Sequence, residues 1–265
     1  MRSIGCRRSA GGVRILTALM IGSFVALTTR AQEKKPDGPR VTAISPITVS
    51  PGTTVTLKVR GAKLSTATEV RFPTAPSVKV TLGEKKSADV PAGLDAKDIG
   101  DTQLEAELIL PCDVAPGLLG FVVITPDGTA TGGSVRVRAA AQLLAEKEPD
   151  NGFREAQPIE LGGLMVGSIK EDKDVDVFRF AGRARQRITA DVIAPPSGSL
   201  LDPALTVFDA SGQILATNDD VAPSRDARVE IELSADGAYF FCVTDAHDRG
   251  GVWHNYEFSV HEVGK

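Results

Sequence analysis

The chain has few of the residue types on which most catalytic chemistry depends. Its 265 residues include three cysteines, three histidines and one tryptophan. No H-E-x-x-H sequence is present, and His247, His254 and His261 lack a compact zinc-ligand spacing. A G-x-S-x-G nucleophile elbow and a glycine-rich phosphate-binding loop are also missing. These absences exclude the usual signatures of zinc peptidases, α/β-hydrolases and nucleotide-binding enzymes, and they predict a protein that is not an enzyme.

Cysteine is too scarce to provide a disulfide framework. After residue 31 only Cys112 and Cys242 remain, and they fall in different predicted domains. Domains of about 100 residues bury enough apolar surface to fold without disulfides. We therefore predict two separate thiols.

Long apolar runs are rare, and the longest one follows a basic N-terminus. Four arginines precede the uncharged run Ile15–Leu27, and the small residue Ala31 comes shortly after it. This layout is typical of a secretory signal peptide, and thirteen apolar residues are too few for a transmembrane helix. Residues 1–31 are predicted to be a cleaved signal peptide, with a retained anchor as the alternative. The protein is then exported to an extracellular, periplasmic or cell-surface location, with no membrane insertion after cleavage.

The balance of charge excludes a nucleic-acid partner. Residues 1–31 hold five of the 30 basic residues and no acidic residue, so 25 basic residues face 34 acidic ones in the remainder. A net charge of −9 is opposite to the basic surface that binds phosphate backbones. An anionic membrane surface is excluded as a partner for the same reason.

The first half of the mature chain has the pattern of a β-sandwich. Residues 32–39 are polar and predicted to be a linker, and residues 40–138 contain seven short apolar runs separated by Pro and Gly. In Val55–Val59 apolar and polar residues alternate, which is typical of a half-buried strand. Residues 41–72 resemble the opening of an IPT/TIG domain, with Ser45-Pro46 and Pro51-Gly52 at the expected turns. This resemblance implies an immunoglobulin-like fold that acts as a spacer or interaction module.

Residues 139–147 are rich in Ala, Leu, Glu and Lys, which favours a helix that Pro149 ends. We predict that this helix-prone linker holds the two domains only loosely. Residues 148–265 return to a strand pattern with eight predicted strands. The fold class is therefore all-β, with two tandem β-sandwiches, the first immunoglobulin-like and the second of jelly-roll type.

The second half resembles a bacterial pre-peptidase C-terminal domain over about residues 146–263. The match is carried by spaced polar and aromatic motifs: Glu148-Pro149-Asp150-Asn151, Gly167-Ser168, Asp174-Val175-Asp176-Val177-Phe178-Arg179-Phe180, Leu201-Asp202-Pro203, Asn218-Asp219-Asp220, Asp236-Gly237-Ala238-Tyr239 and Tyr256. Such domains accompany secreted peptidases and are not themselves catalytic.

Two acidic clusters flank the first predicted strand of this half: Glu146, Glu148, Asp150 and Asn151 before it, and Asp172, Asp174 and Asp176 after it. Alternating acids share one face of an extended chain, and several carboxylates that converge favour a hard cation such as calcium. The alternative is that they are solvated turn residues, with Asp150 or Asn151 capping the local backbone. Asn218-Asp219-Asp220 is expected to form a structural turn, with a contribution to the same cation site as its alternative. The resemblance implies a structural calcium site with these ligands: Glu146, Glu148, Asp150, Asn151, Asp174 and Asp176.

Trp253 and Tyr256 lie in the loop-like sequence GGVWHNY, where exposed rings would contact a sugar or a polypeptide. They are the predicted ligand-binding residues, with burial in the core as the alternative. The sequence thus predicts a non-catalytic, exported binding or adhesion protein, whose partner is an extracellular polymer, a surface component or a secreted protein. The alternative is an accessory subunit or remnant of a secreted peptidase or other hydrolase.

Overall fold

A computed structural model describes residues 38–91, 94–194 and 198–263. The predicted signal peptide, residues 1–31, and all but the last two residues of the linker 32–39 lie outside this range. No helix within the described range is long and apolar enough to cross a membrane. Cys112 is exposed, Cys242 is half-buried and neither forms a disulfide, as predicted.

The first half of the described chain contains a short helix, α1 (Ala96–Ile99), and eight strands: β1 (Arg40–Ser45), β2 (Thr48–Val49), β3 (Thr54–Ala62), β4 (Glu69–Arg71), β5 (Lys79–Ser87), β6 (Thr102–Ile109), β7 (Gly117–Thr125) and β8 (Gly128–Val137). These strands form two four-stranded sheets. Sheet I has the order β1-β3-β6-β5, and sheet II has the order β2-β8-β7-β4. Sheet I follows the A-B-E-D order of an immunoglobulin domain, and this confirms the immunoglobulin-like prediction.

Alternating side chains hold these two sheets together. In β6 every second residue is buried from Thr102 to Leu108. Leu57 and Leu104 of sheet I share one apolar core with Phe121 and Val135 of sheet II, and each of them is at most 2% exposed. Burial of side chains of this size contributes about 1.5–3 kcal/mol each, which accounts for a stable domain without a disulfide.

The second half contains a 3₁₀ turn (Ala140–Gln142) and ten strands: β9 (Leu143–Ala145), β10 (Gln157–Pro158), β11 (Leu164–Ser168), β12 (Asp176–Gly182), β13 (Arg187–Ile193), β14 (Pro203–Asp209), β15 (Ile214–Asn218), β16 (Ala227–Glu232), β17 (Gly237–Asp245) and β18 (Asn255–Glu262). Sheet III has the order β10-β12-β17-β14-β15, and sheet IV has the order β16-β13-β18-β11-β9. Without β9 and β10, each sheet has four antiparallel strands, which is the eight-stranded arrangement of a jelly roll. Phe178 of sheet III stacks on Phe258 of sheet IV, with ring centroids 4.9 Å apart, at the centre of the core.

The helical prediction for residues 139–147 is wrong. Only Ala140–Gln142 forms a 3₁₀ turn, and Leu143–Ala145 forms strand β9, which pairs in parallel with β11. The pairing gives the backbone of β9 hydrogen-bond partners on sheet IV, and this tertiary contact outweighs the local helix propensity. Residues 146–156 then run from the edge of sheet IV to β10 at the edge of sheet III.

Direct contacts join the two sandwiches, so they do not depend on the linker alone, contrary to the expected loose connection. All residues that the structure describes belong to one compact unit. The Ile44 N–H donates to the carbonyl of Gly198 at 2.8 Å. Glu257 on β18 is only 1% exposed and accepts hydrogen bonds from Thr48 Oγ1 at 2.7 Å and from Arg138 Nη2 at 2.9 Å.

Candidate metal centre

The first acidic side chain of the site is positioned by strand β9. The pairing of Ala145 with Val166 continues into a hydrogen bond from the Glu146 N–H to the Val166 carbonyl, at 3.0 Å. The Glu146 side chain is 4% exposed and accepts a hydrogen bond from the Ser168 N–H. The linker strand therefore directs this carboxylate into the edge of the jelly roll.

Two further carboxylates come from the two sides of the gap between the sheets. Asp150 lies in the segment that crosses the gap, and its carbonyl accepts a hydrogen bond from the Val177 N–H at 3.0 Å. Asp176 is the first residue of β12 and lies opposite Val243 on β17. Both side chains are completely buried.

Glu146, Glu148, Asp150 and Asp176 together offer four carboxylate oxygens that all lie within 4.8 Å of one another. Neither oxygen of Asp150 accepts a hydrogen bond from an N–H or O–H group, and neither does Oδ1 of Asp176. The remaining oxygen, Oδ2 of Asp176, accepts a hydrogen bond from the buried hydroxyl of Tyr256. Buried carboxylate oxygens without donors are costly, because the water that would solvate them has been removed.

The donor set fits a hard divalent cation. Calcium takes six to eight oxygen ligands, mainly carboxylates, carbonyls and water, and a pocket that presents several unpaired carboxylate oxygens supplies that chemistry. Glu148 lies at the exposed rim, where water can complete the coordination. The four residues that would hold the cation are therefore Glu146, Glu148, Asp150 and Asp176.

Lys170 contributes one positive charge on the outer side of the cluster. Its Nζ lies 2.7 Å from Glu146 Oε1 and 3.0 Å from Glu148 Oε1, and its side chain is 47% exposed. Burial lowers the pKa of Lys170, but hydrogen bonds to the two glutamates outweigh this and raise it. One ammonium against four carboxylates leaves excess negative charge that a cation would neutralise.

The pKa values of the carboxylates show the repulsion inside the cluster. Burial, the adjacent carboxyl group of Glu148 and the charges of Glu146 and Glu148 raise the pKa of Asp150 to about 7. Burial and the charges of Asp150, Glu146 and Asp174 raise the pKa of Asp176 to about 8, although the Tyr256 hydroxyl acts in the opposite direction. Burial would also raise the pKa of Glu148, but hydrogen bonds with Lys170 and Asp150 lower it overall. Near neutral pH the cluster thus holds protons that a metal ion would displace.

The structure brings together four of the six predicted ligands. Asp174 is buried next to the cluster, but its carboxylate accepts hydrogen bonds from the N–H groups of Lys170 and Val175, at 2.7 and 3.0 Å. Asn151 is exposed. The Asn218 side chain accepts from the Arg228 N–H and donates to the Asp220 carbonyl, so residues 218–220 form a structural turn.

The prediction that Trp253 and Tyr256 form an exposed aromatic surface is wrong. Trp253 is 6% exposed and Tyr256 is completely buried. The carbonyl of Trp253 accepts a hydrogen bond from the Leu200 N–H at 2.8 Å, which anchors the loop that carries it. Tyr256 contacts the cluster itself, because its hydroxyl donates to Asp176.

Lys170 was not predicted from the sequence, and Tyr256 was predicted to bind a ligand at the surface and not to contact the acidic cluster. Tyr256 lies 80 positions from Asp176, and only the pairing of β18 with β11 brings it there. The one available signal is Gly167, which lies opposite Tyr256 in that pairing. A Cβ atom at Gly167 would be 2.5 Å from the Tyr256 hydroxyl oxygen, so only glycine leaves room for this ring.

Comparison with known proteins supports the reading of the second half. Residues 174–245 match the family model of the bacterial pre-peptidase C-terminal domain. This range includes Asp174, Asp176 and strands β12 to β17, so the match covers most of the strands of the jelly roll. The same resemblance was predicted from the sequence motifs.

A curated relative is a probable subtilase-type serine protease of Deinococcus radiodurans, 34% identical over 166 residues. The matched part is 51% of this chain and 23% of the relative, so the chain spans about a quarter of that protein's length. Among solved structures, the pre-peptidase C-terminal domain of a Bacillus anthracis collagenase matches 43% of this chain and 98% of its own, with 19% identity and a TM-score of 0.34. A glucan-utilisation protein of Bacteroides ovatus, solved with a mixed-linkage heptasaccharide, matches 80% of this chain and 70% of its own, with 11% identity and a TM-score of 0.23.

Proposed function

We propose that this chain, whose jelly roll matches a bacterial pre-peptidase C-terminal domain, is a non-catalytic exported binding protein with a structural calcium site. The observation that carries the proposal is the group formed by Glu146, Glu148, Asp150 and Asp176. Its ligands come from the linker and from β12, so a bound calcium ion ties the linker segment to the jelly roll. The immunoglobulin-like sandwich precedes the same linker in the chain, so the ion also helps to hold it in a defined place.

The proposed calcium ion stabilises the fold and does not take part in a reaction. The two central carboxylates are completely buried, which leaves no approach for a substrate. A calcium concentration one hundredfold above the dissociation constant stabilises the folded chain by about 2.7 kcal/mol. For a chain of this size that corresponds to roughly 5–10 °C in melting temperature.

Thermal melting with calcium and with a chelator tests the structural site. The wild-type chain is expected to melt several degrees higher with calcium, and the double variant Asp150→Asn plus Asp176→Asn is expected to show no shift. Asp219→Asn is the matched control, since Asp219 is an exposed acid outside the group. An equal rise in melting temperature with calcium in the double variant would contradict the proposed calcium site.

The binding role needs a separate test, because a calcium site does not identify a partner. The proposed partners are an extracellular polymer, a surface component or a secreted protein. Sedimentation of the purified chain with insoluble polysaccharides, and capture of partners from the secreted fraction, distinguish the first of these from the last. A chain that remains free in both experiments would refute the binding role.

A second candidate function is suggested by the subtilase-type relative. The chain would then be an accessory part that assembles with a separate secreted peptidase. Casein hydrolysis by the purified chain would contradict the non-catalytic proposal. Recovery of a peptidase with the chain from the secreted fraction, without hydrolysis by the chain alone, would favour this second candidate.

A further inference from the structure

A polar cavity of about 250 Å³ lies on the outer face of sheet IV, where the end of the first sandwich reaches over it. We call it the junction pocket, and six polar residues of its lining define it: Arg138, Asp191, Arg228, Glu257, Ser259 and His261. Arg138 follows the last strand of the first sandwich, and the others lie on β13, β16 and β18. Both sandwiches therefore build the pocket.

Strand register fixes the arrangement of these side chains. Asp191 on β13 pairs with Arg228 on one side and with Ser259 on the other, so the three residues form one row across the sheet. Glu257 and His261 lie two residues before and after Ser259 and share its face. The pocket is thus part of the rigid sheet.

Two guanidinium–carboxylate pairs face the cavity. Arg228 Nε donates to Asp191 Oδ1, and Arg138 donates to both oxygens of Glu257, at 2.9 and 3.3 Å. The Asp191 and Glu257 side chains are only 14% and 1% exposed, so their carboxylates are fixed in place. Each guanidinium has five N–H groups and uses one or two of them in its pair. Donors and acceptors therefore stand side by side in the pocket.

The balance of charge selects the class of ligand. The lining contains two arginines and two acids that neutralise one another, and Arg136, which also contacts Glu257, does not line the cavity. An anionic ligand would face the two carboxylates, and a cationic ligand would face the two guanidinium groups. A neutral ligand with closely spaced hydroxyl groups satisfies both kinds of group, because a hydroxyl donates to the Asp191 carboxylate and a neighbouring one accepts from the partly exposed guanidinium of Arg228 or Arg138.

Size and the apolar lining point in the same direction. Drug-sized ligands occupy pockets of roughly 300–1,000 Å³, so this cavity takes one ring of a longer molecule. Leu164 pairs with Ser259 and, together with Ile193, adds apolar surface against which the C–H groups of a sugar ring can pack. The Gln142 side chain lies at the edge and offers a further amide.

We propose that the junction pocket binds one neutral saccharide unit of an extracellular polysaccharide. This inference rests on the proposed binding function and names the polymer as a carbohydrate. Binding of a single unit is weak, since the pocket takes only one ring. The two sandwiches must keep their relative placement for Arg138 to take part.

Nuclear magnetic resonance of the full chain with methyl glycosides of glucose, galactose, mannose and N-acetylglucosamine tests this assignment. At least one neutral glycoside is expected to shift the amide signals of Asp191, Arg228 and Ser259. The signals of Arg187 and Glu230, an exposed ion pair on the same two strands, are expected to stay unchanged. The methyl glycoside of the corresponding uronic acid is expected to bind more weakly, and stronger binding of this anionic sugar would overturn the neutral-ligand assignment.

Matched variants separate this proposal from the binding function itself. Asp191→Asn plus Arg228→Gln is expected to weaken glycoside and polysaccharide binding about tenfold or more, since hydrogen bonds to charged groups are lost. Arg187→Gln plus Glu230→Gln is expected to bind like the wild type.

Equal polysaccharide binding by both double variants would overturn the saccharide site and leave the proposed binding function standing. If the wild-type chain binds no saccharide, the saccharide site is overturned as well. If it binds no partner of any kind, both the saccharide site and the proposed binding function are overturned. If the Asp191→Asn plus Arg228→Gln variant does not fold, saccharide binding by Gln142→Ala and the amide shifts of the wild-type chain test the proposal instead.

Discussion

Asp174 and Asp176 are both buried carboxylates, but their oxygen atoms have different partners. Asp174 accepts two backbone N–H groups and closes the turn before β12. One oxygen of Asp176 has no donor, and the other accepts only from Tyr256. The hydrogen-bonding capacity of the Asp174 carboxylate is therefore satisfied without a metal, whereas Asp176 Oδ1 has no donor and is available to a cation.

This difference predicts opposite responses to mutation. Asp174→Ala is expected to destabilise the chain by about 1–3 kcal/mol with or without calcium, because two buried N–H groups lose their acceptor. Asp176→Asn is expected to leave the calcium-free chain as stable as the wild type, or more stable, at pH 8, while the calcium response is lost. Chemical denaturation with and without a chelator measures both. A calcium response that disappears only in the Asp174 variant would contradict the assignment of ligands.

The raised pKa values of Asp150 and Asp176, about 7 and about 8, predict an unusual pH dependence. Because the folded chain binds these protons more tightly than the unfolded chain, the stabilisation is complete below about pH 4 and is lost as pH rises through 7 and 8. The contribution of these groups to the stability of the calcium-free chain is therefore expected to fall over this range. Stabilisation by calcium is expected to grow over the same range, since fewer protons compete with the ion.

Melting curves at several pH values, with chelator and with calcium, check this expectation. The double variant Asp150→Asn plus Asp176→Asn serves as the control, because it cannot release these protons. A wild-type chain whose calcium response is the same at pH 5 and pH 8 would contradict the proton competition.

At the scale of elements, β9 and β11 form the frame of the cluster. Glu146 leaves β9 on the side of Ser168, while Gly167 in β11 makes room for Tyr256. The pairing of β11 with β9 and β18 thus places the Glu146 carboxylate and the Tyr256 hydroxyl next to Asp176, the first residue of β12. The same pairing explains why a helix-prone segment is extended here.

Gly167→Ala is expected to disturb this frame. Its Cβ would lie 2.5 Å from the Tyr256 hydroxyl oxygen and 3.1 Å from the Glu146 Cβ, so the ring must leave Asp176. Overpacking of this kind costs about 1–3 kcal/mol, and the calcium response is expected to weaken as well. Gly237→Ala is the control, since a Cβ there meets no atom within 4 Å and this glycine is on β17 of the same jelly roll. Melting of both variants with and without calcium provides the comparison, and an unchanged Gly167→Ala chain would contradict the role of the close approach.

At the scale of the whole molecule, local patterns predicted the two sandwiches well. Alternation in segments such as Val55–Val59 follows from the pleat of a strand and does not depend on distant partners. The prediction that Asp172, Asp174 and Asp176 share one face of an extended strand is wrong, because β12 begins only at Asp176 and Lys173 has a positive φ of 69°. Contacts between distant segments, such as Tyr256 with Asp176 or Glu257 with Arg138, leave no local pattern to detect.

The buried Glu257 predicts how firmly the sandwiches hold together. Glu257→Gln removes the charge that Arg138 contacts across the junction. The hydrogen bond to Glu257 and its charge raise the pKa of Arg138 and outweigh burial, which lowers it. The expected loss is about 2 kcal/mol, and the single melting transition is expected to broaden or to split in two. Calorimetry measures this, with Glu262→Gln as an exposed control on the same strand. A Glu257→Gln chain that melts like the wild type would show that the junction depends on other contacts.

The most direct test of the central claim is calorimetric titration of calcium into the chelator-stripped chain. The wild-type chain is expected to bind one calcium ion and the Asp150→Asn plus Asp176→Asn variant none, while Asp219→Asn is expected to bind like the wild type. No binding by the wild type at millimolar calcium, or equal binding by the double variant, would contradict the claim that the linker and the jelly roll share a calcium ion.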